Sequence, residues 1–353
     1  MRSALLRSKL IFMTNFNADL DAHTQAQSLY DKALAFSTAK HSLTLTHEVE
    51  HAGYGAMLSR LMTGLNQSFV QSSNYHFTTN SSYQIETLFN LAVKQDPIEF
   101  AKSKKKIWHF FRDTWDVKYP ILSWKWLTKT AGYKERVRAE HQFPNCPIPI
   151  GGTLSRHQWC AILAQLICGN RTPYLQNILQ EKKQVLGWDD AALHVGIHAR
   201  RGDKNTECPY IPTQTYVEFF QRIASEHPGQ AIEIFLTSDD PDCYADFSAA
   251  LPNASILWDQ DEPRFNNCNV HMVGDQPDLA LQESITAAKN ICLLGQCDYV
   301  IGMASAQFTW IGGLLCVFQH NLDTSRQIMI DPITRAQSHW ACTYGYPLEE
   351  LLS

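Results

Sequence analysis

Short apolar runs alternate with amphipathic segments from Leu193 onward. Runs of four to seven residues with alternating or continuous apolar character predict strands, and apolar positions at helical spacing predict the helices between them. The predicted strands are LHVGIHA at 193–199, AIEIFLT at 231–237, ASILW at 254–258 and DYVIGMA at 298–304. The predicted helices are YVEFFQRIAS, PDCYADFSAAL and a long helix before the last strand. This alternation predicts a parallel, doubly wound sheet, with ligands at the carboxyl ends of its strands.

The N-terminal half has a weaker version of the same pattern. The first ~40 residues have helical spacing, SLTLT at 42–46 alternates like a strand, and the turn at Gly53, Tyr54 and Gly55 leads into an amphipathic helix. Residues 100–149 are rich in Trp, Lys and Pro and have no clean period, which indicates irregular structure. We therefore expect two α/β domains, residues 1–190 and residues 191–353, the second with a Rossmann-like sheet. The C-terminal tail is expected to pack back on the first domain.

The first strong strand ends in a charged loop. The stretch VGIHARRGDKNTE at 195–207 places two arginines, an aspartate, a lysine and a glutamate directly after buried strand residues. The guanidinium groups of Arg200 and Arg201 suit the geometry of phosphate. The segment therefore indicates a polyanion site, and a solvated charged loop is the alternative.

Several stretches resemble the inverting fucosyltransferase superfamily, and the α1,6-fucosyltransferases, including the rhizobial enzymes that act on chitooligosaccharides, most closely. The first block is similar if one residue is deleted between Lys204 and Glu207. Its matching residues are His198, Arg200, Arg201, Asp203, Lys204, Glu207, Pro212 and Tyr216. IEIFLTSDDP resembles the second block, CDYVIGMASAQFTWIGG the third, GYGAMLSRLMTGLNQSF the opening from Gly53, and RHQWCAILAQLICGNRTPYL a helix before the first block. The resemblance extends from Gly53 to about Gly313.

The resemblance implies a GT-B-like, inverting and metal-independent transferase that uses GDP-fucose and needs no cofactor. It also implies that residues 1–190 form the acceptor-side domain, with residues 100–149 as acceptor-facing surface. An inverting transfer requires a base for the acceptor hydroxyl and positive charge for the departing diphosphate. We expect Arg200 and Arg201 to hold the β-phosphate side of GDP, and Glu207, held by Lys204, to be the base. His198 faces the same way as Arg200, so it contacts phosphate or ribose or is a structural histidine.

Three further groups complete the expected donor site. Ser305 and Gln307, at a helix start with Ala306 between them, are expected to donate to the diphosphate. Simple capping by Ser305 is the alternative. The guanine is expected near Asp239 and Asp240.

Two departures from the α1,6 pattern weaken the prediction of the acceptor linkage more than the prediction of the donor site. Asn290 stands where that family has an aspartate, and the family's Ser-Ser-Gln becomes Ser305, Ala306 and Gln307. The sequence Arg-Arg-Gly-Asp at 200–203 and the end of the third block at 308–312 are similar to the α1,2-fucosyltransferases. Two other functions therefore stay open, a transferase for another nucleotide sugar and a catalytically silent glycan or nucleotide binder.

Two other motifs compete with this interpretation. HEVEH at 47–51 matches the H-E-x-x-H of zinc proteases, but it follows a strand-like segment and runs into a glycine turn, so a charged loop at a strand end is expected. Asp259 and Asp261 form the D-x-D that holds a metal in other glycosyltransferases. We interpret them as solvated turn residues, because the arginine pair already neutralises the diphosphate.

Composition narrows the partners and the compartment. The 353 residues have a net charge of −5, which provides no footprint for nucleic acid. No apolar run approaches the about 20 residues of a membrane span, and Arg7 and Lys9 interrupt any signal-like segment. The ten cysteines are scattered and indicate buried thiols. We expect a cytoplasmic protein, or a piece of a longer one, that binds GDP-fucose and an oligosaccharide or glycoconjugate acceptor.

Overall fold

The fold is described from a computed structural model. It describes residues 26–40, 44–49, 53–79, 83, 85–91, 94–95, 137–138, 146–147, 150, 154–202, 208–264, 276–338 and 342–343.

A six-stranded sheet occupies the C-terminal half. Its strands are β5 (Leu193–Ala199), β6 (Ile232–Ser238), β7 (Ser255–Leu257), β8 (Tyr299–Met303), β9 (Gln327–Ile330) and β10 (Gln337–Ser338). They lie in the order β10-β9-β8-β5-β6-β7, and every pair is parallel except β10 with β9. This is the order of a Rossmann-like half, so the α/β class and the parallel sheet predicted from the sequence are confirmed.

The central strands are apolar because helices cover both of their faces. Every residue of β5 and of β8 is buried, which explains why these strands read as nearly continuous apolar runs. The polar exceptions in β5 are histidines: His194 pairs with Glu233 at 3.0 Å, and His198 lies at the carboxyl end.

Residues 26–38 are helical and are named α1. The helices that follow are α2 (Tyr54–Gln71), α3 (Ile85–Leu88), α4 (Arg156–Cys168), α5 (Pro173–Leu186), α6 (Thr213–Glu226), α7 (Cys243–Ala250), α8 (Pro277–Leu294) and α9 (Gln307–Gln319).

The segment that begins at Arg156 contains two helices, although one helix was expected there. Ser155 and Gln158 form a capping box at the start of α4. Thr172 caps α5, which has proline at its first position. The α5 helix ends at Gly187, whose φ of 69° is the left-handed conformation that glycine adopts without strain.

The N-terminal half contains a smaller parallel sheet. Strands β1 (Thr44–Val49), β2 (Asn74–Thr79) and β3 (Lys94–Gln95) pair in that order. His47 and Glu48 lie within β1, so the expectation of a loop at this position is wrong, and the helix that a zinc protease motif requires is not formed. Strand β4 (Val137–Arg138) pairs with β11 (Cys342–Thr343) near the C-terminus.

Helix α9 connects the two halves of the core. It packs against α2 and α4 as well as against α8 and β8. A single cluster of buried apolar residues extends from α1 to β9. Trp159 on α4 donates to the Asn66 amide oxygen on α2 at 2.7 Å, and both side chains are buried.

Cysteines contribute to this core as small apolar residues. The eight cysteines in the described segments are buried and unpaired by disulfides. Burial raises the thiol pKa of Cys160, Cys168, Cys297 and Cys316.

Asn66→Ala tests the buried hydrogen bond between α2 and α4. The substitution leaves the Trp159 indole N–H buried without an acceptor, so we expect the free energy of unfolding in urea to fall by about 1–3 kcal/mol. Asn253→Ala, at an exposed position between α7 and β7, is the control and should change it little. Equal values for the two variants would contradict the assigned bond.

Candidate functional site

The strand order of the large sheet reverses between β5 and β8. After β5 the chain adds β6 and β7 on one side, and it then crosses to add β8 and β9 on the other. Loops that leave the carboxyl ends of such neighbouring strands diverge and leave a crevice, which is where open α/β sheets bind ligands. Arg200 follows β5 and Ser305 follows β8, so both lie at this crevice.

Two helix N-termini meet beside the crevice. A Cβ placed on Gly55 would lie 2.8 Å from the backbone nitrogen of Phe308, so the first turns of α2 and α9 are in direct contact. The N-cap residues are Gly53 and Ala306, and neither uses a side chain to cap its helix. Uncapped N–H groups and the positive ends of two helix dipoles therefore lie together, an arrangement that favours an anion.

The Arg200 guanidinium lies at the end of β5 against the end of β6. Its Nη1 donates to the Asp239 carboxylate, and its side chain is 27% exposed. Arg200 is also close enough to His198 for its charge to act on that imidazole.

The Arg201 guanidinium points toward helices α6 and α7. Nη1 contacts Asp240 at 2.9 Å and Asp246 at 2.8 Å, and Nη2 donates to the Thr213 hydroxyl at 2.8 Å. The structure thus places Asp239 and Asp240, which were expected near a guanine, in contact with the two arginines.

His198 is buried at the β5 end of the crevice. Its Nδ1 lies 2.5 Å from the Thr309 hydroxyl, and its ring packs on Phe308 at a centroid distance of 4.5 Å. Burial, with a smaller contribution from the charge of Arg200, lowers the imidazole pKa to about 3. His198 is therefore neutral near pH 7 and can offer a hydrogen bond but no charge.

The residues after β8 are largely enclosed. The Ser305 hydroxyl lies 3.3 Å from the Cys208 thiol and is buried, and the side chain of Ala306 is buried as well. The Gln307 amide oxygen is buried and has no hydrogen-bond partner within the described segments. The Tyr54 hydroxyl, on the neighbouring helix, is also buried and has no hydrogen-bond partner among the described residues, and burial raises its pKa.

Asn290 on α8 presents an amide oxygen that has no partner among the residues that the structure describes. Its Nδ2 donates to the Thr237 hydroxyl at 3.1 Å and to Glu262 at 2.8 Å. Because both bonds use the amide nitrogen, Oδ1 remains as a buried acceptor, and no described residue donates to it. Thr237 pairs with His198 in the sheet, so Asn290 lies close to the crevice.

Asp259 is buried in a cluster of charges, so the expectation that it is a solvated turn residue is wrong. Its carboxylate contacts Lys289 at 2.5 Å and Lys182 at 3.2 Å, and only 6% of the residue is exposed. Burial opposes ionisation, but the two lysines outweigh it and hold the pKa of Asp259 below its usual range. Asp261, by contrast, is exposed as expected.

Three predicted residues, Asp203, Lys204 and Glu207, lie outside the described residues. The residues on either side are described. The Tyr210 hydroxyl donates to the Gly202 carbonyl at 2.6 Å, and the Cys208 thiol contacts Ser305. Cys208 therefore lies at the crevice, and the bond from Tyr210 holds Gly202 close to the same segment.

Sequence reasoning missed several residues that shape the site. Thr309, Cys208, Glu262 and Lys289 contact the predicted residues. Thr309 follows the predicted residue Gln307 by two positions, within the first turn of α9, and this closeness in sequence could have indicated it. Lys289, in contrast, is paired with Asp259 and Glu262, which lie on another segment of the chain, and no local pattern shows such a pairing.

No group of three or more potential metal ligands occurs among the residues that the structure describes. Within the same part of the chain, no helix combines the length and the apolar character needed to cross a bilayer.

Comparison of the sequence with known protein families finds no matching family model, and comparison with curated proteins finds no match. Solved structures do show similarity. A NodZ α1,6-fucosyltransferase co-crystallised with GDP is 11% identical, covers 81% of this chain and 94% of its own, and has a TM-score of 0.46. POFUT1 in complex with GDP is 11% identical, with 79% and 96% coverage and a TM-score of 0.42. A mutant of Arabidopsis thaliana FUT1 in complex with GDP is 10% identical, with 94% and 82% coverage and a TM-score of 0.45.

Proposed function

We propose that this chain is an inverting, metal-independent fucosyltransferase of GT-B-like architecture, which transfers fucose from GDP-fucose to a hydroxyl of a glycan or glycoconjugate. The observation that carries the proposal is the convergence of Arg200 with two uncapped helix N-termini at the point where the strand order reverses. Backbone N–H groups and a guanidinium are the donors that suit a diphosphate.

The same donors explain how the reaction is accelerated. When the bond to the sugar breaks, negative charge grows on the β-phosphate of the leaving GDP. Donors fixed in place before the reaction stabilise this charge without reorganising, which is a large part of catalysis in polar active sites. The N–H groups at Gln307 and at Gly55 belong to buried helices and are therefore fixed in this way.

Glu207 is the proposed base, with Lys204 to hold its carboxylate. Glu207 immediately precedes Cys208, whose thiol contacts Ser305. A carboxylate beside the crevice can accept the proton of an acceptor hydroxyl on the side of the sugar opposite the diphosphate, as inversion requires.

Metal independence is supported by the partners of Asp259. A divalent cation at the D-x-D would have to displace Lys289 and Lys182 from the carboxylate. The ammonium groups already neutralise Asp259, while Arg200 and the helix ends provide the positive charge for the diphosphate.

The nucleoside is proposed to be guanosine. The unpartnered amide oxygen of Asn290 is an acceptor close to the crevice, and guanine offers N–H donors on its Watson–Crick edge. The replacement of an aspartate by Asn290 also favours a second candidate, a protein that binds the nucleotide without transferring sugar. A transferase for another nucleotide sugar is the third.

The buried free thiols of the described segments support a reducing, cytoplasmic setting.

GDP release from GDP-fucose tests the proposed function directly. The assay includes GDP-mannose and UDP-GlcNAc as donor controls and chitooligosaccharides, N-glycans and galactosides as acceptors. We expect release that is specific for GDP-fucose, needs an acceptor and is unchanged by EDTA. Loss of activity with EDTA would contradict metal independence. Binding of GDP without release from any donor and acceptor would support the silent binder.

Arg200→Ala tests the phosphate contact. Loss of a charge-assisted contact to phosphate should weaken GDP binding by about 10- to 100-fold and lower the rate of transfer. Arg326→Ala is the matched control, because Arg326 is also 27% exposed and contacts an aspartate, but precedes β9 at the opposite end of the sheet. Calorimetric titration with GDP measures both variants. Equal affinities for GDP would refute the role of Arg200.

Glu207→Gln separates the base from the binding groups. The amide cannot accept the proton, so kcat should fall by at least about 100-fold while the affinity for GDP is retained. Glu218→Gln, on the exposed face of α6, should behave as the unmodified protein does. Full activity of Glu207→Gln would show that another group is the base.

A further inference from the structure

The ends of β5 and β6 are joined by side-chain hydrogen bonds. The Ser238 hydroxyl donates to the Ala199 carbonyl at 2.6 Å and accepts from the backbone N–H of Asp240 at 3.1 Å. The two loops that leave these strands therefore begin as one connected unit at the crevice.

Asp239 holds both arginines of the loop after β5, but through different groups. One carboxylate oxygen accepts from the backbone N–H of Arg201 at 2.8 Å, and the other accepts from Nη1 of Arg200. The Asp239 side chain is only 10% exposed. The backbone bond fixes where the carboxylate lies, and the second oxygen then determines the direction of the Arg200 guanidinium.

Arg201 is engaged by three partners on three segments. Asp240 follows β6, Thr213 begins α6 and Asp246 lies on α7. Its side chain is 14% exposed, about half the exposure of Arg200. For Arg201 to bind a phosphate, these bonds would have to break. Arg200 is the more exposed of the two guanidinium groups, so it is the one that a ligand in the crevice can reach.

We propose that Asp239 is a positioning residue that acts through Arg200, and that Arg201 anchors the strand-end loop rather than contacting the diphosphate, an assignment that rests on the function proposed above. A long side chain that is already held in one orientation loses less conformational freedom when the ligand binds. Arg200 therefore faces the ligand, while Arg201, next to it in the sequence, holds the strand-end loop against the rest of the protein.

The sign of one substitution distinguishes positioning from simple electrostatics. Asp239→Asn removes a negative charge beside the proposed diphosphate, so a purely electrostatic effect would strengthen GDP binding. If Asp239 positions Arg200, the amide, which has one acceptor oxygen for the two donors that the carboxylate serves, should instead weaken GDP binding by about tenfold. A purely structural role would lower the melting temperature and leave the affinity of the folded protein unchanged.

Asp246→Asn is the matched control, because it makes the same chemical change at a partner of Arg201. We expect its affinity for GDP to stay within about twofold of the unmodified protein, since an exposed ion pair contributes little. Calorimetric titration with GDP and with inorganic pyrophosphate measures both variants. An unchanged or higher GDP affinity of Asp239→Asn would overturn the proposal.

Chemical rescue provides a second measurement on a different background. Guanidinium ion added to Arg200→Ala should occupy the vacated position against Asp239 and restore part of the GDP affinity, and methylammonium should restore less because it is not a planar fork. Rescue should persist in Arg200→Ala/Asp246→Asn and disappear in Arg200→Ala/Asp239→Asn. Equal rescue in both double variants would overturn the positioning role even if Asp239→Asn alone fails to fold.

Failure of the proposed function has a different outcome. If the unmodified protein binds neither GDP nor pyrophosphate, the diphosphate site and the role of Asp239 both fall. If it binds them and only the predicted difference between Asp239→Asn and Asp246→Asn is missing, the role of Asp239 alone is refuted.

Discussion

The close approach of α9 to β8 is the constraint on which the crevice depends. A Cβ on Gly302 would lie 2.2 Å from the Thr309 side chain, so only glycine allows the helix to turn back onto its own strand here. That turn brings Thr309 to His198 at the end of β5. The ends of β5 and β8, which are neighbours in the sheet, are thus tied together above it.

Helix α9 serves both the core and the site because its two ends have different surroundings. Its body is buried against α2, α4 and α8. Its first turn contacts the first turn of α2, where Gly55 permits a second close approach between backbones. Packing that stabilises the fold therefore also fixes the N–H groups proposed to hold the diphosphate, and a larger residue at position 55 would disturb both.

The sequence predicted the large sheet well because its information is local. Buried strands such as β5 are short apolar runs, and helices such as α6 have an apolar stripe, so period and length identify them. The three blocks described in the sequence analysis all fall at carboxyl ends of strands, β5, β6 and β8, as expected. The partners of the site residues could not be predicted, because ion pairs such as Lys289 with Asp259 join positions 30 residues apart through the fold. The motif at 47–51 shows the opposite case, a local pattern that misleads. Its sequence matches a helical zinc site, but His47, Glu48 and the residues before them form a strand parallel to β2.

The rate at which the buried cysteines react with thiol reagents can report on opening of the core. Thiol reagents attack the thiolate, and in this chain the eight described thiols are both enclosed and, at Cys160 and Cys316 among others, less acidic than usual. Their modification therefore requires local or global opening, and its rate follows the population of opened molecules rather than surface chemistry. Because Cys208 lies beside Ser305 while Cys160 and Cys316 lie within helices of the core, the order in which they react would show whether the crevice opens before the rest of the molecule.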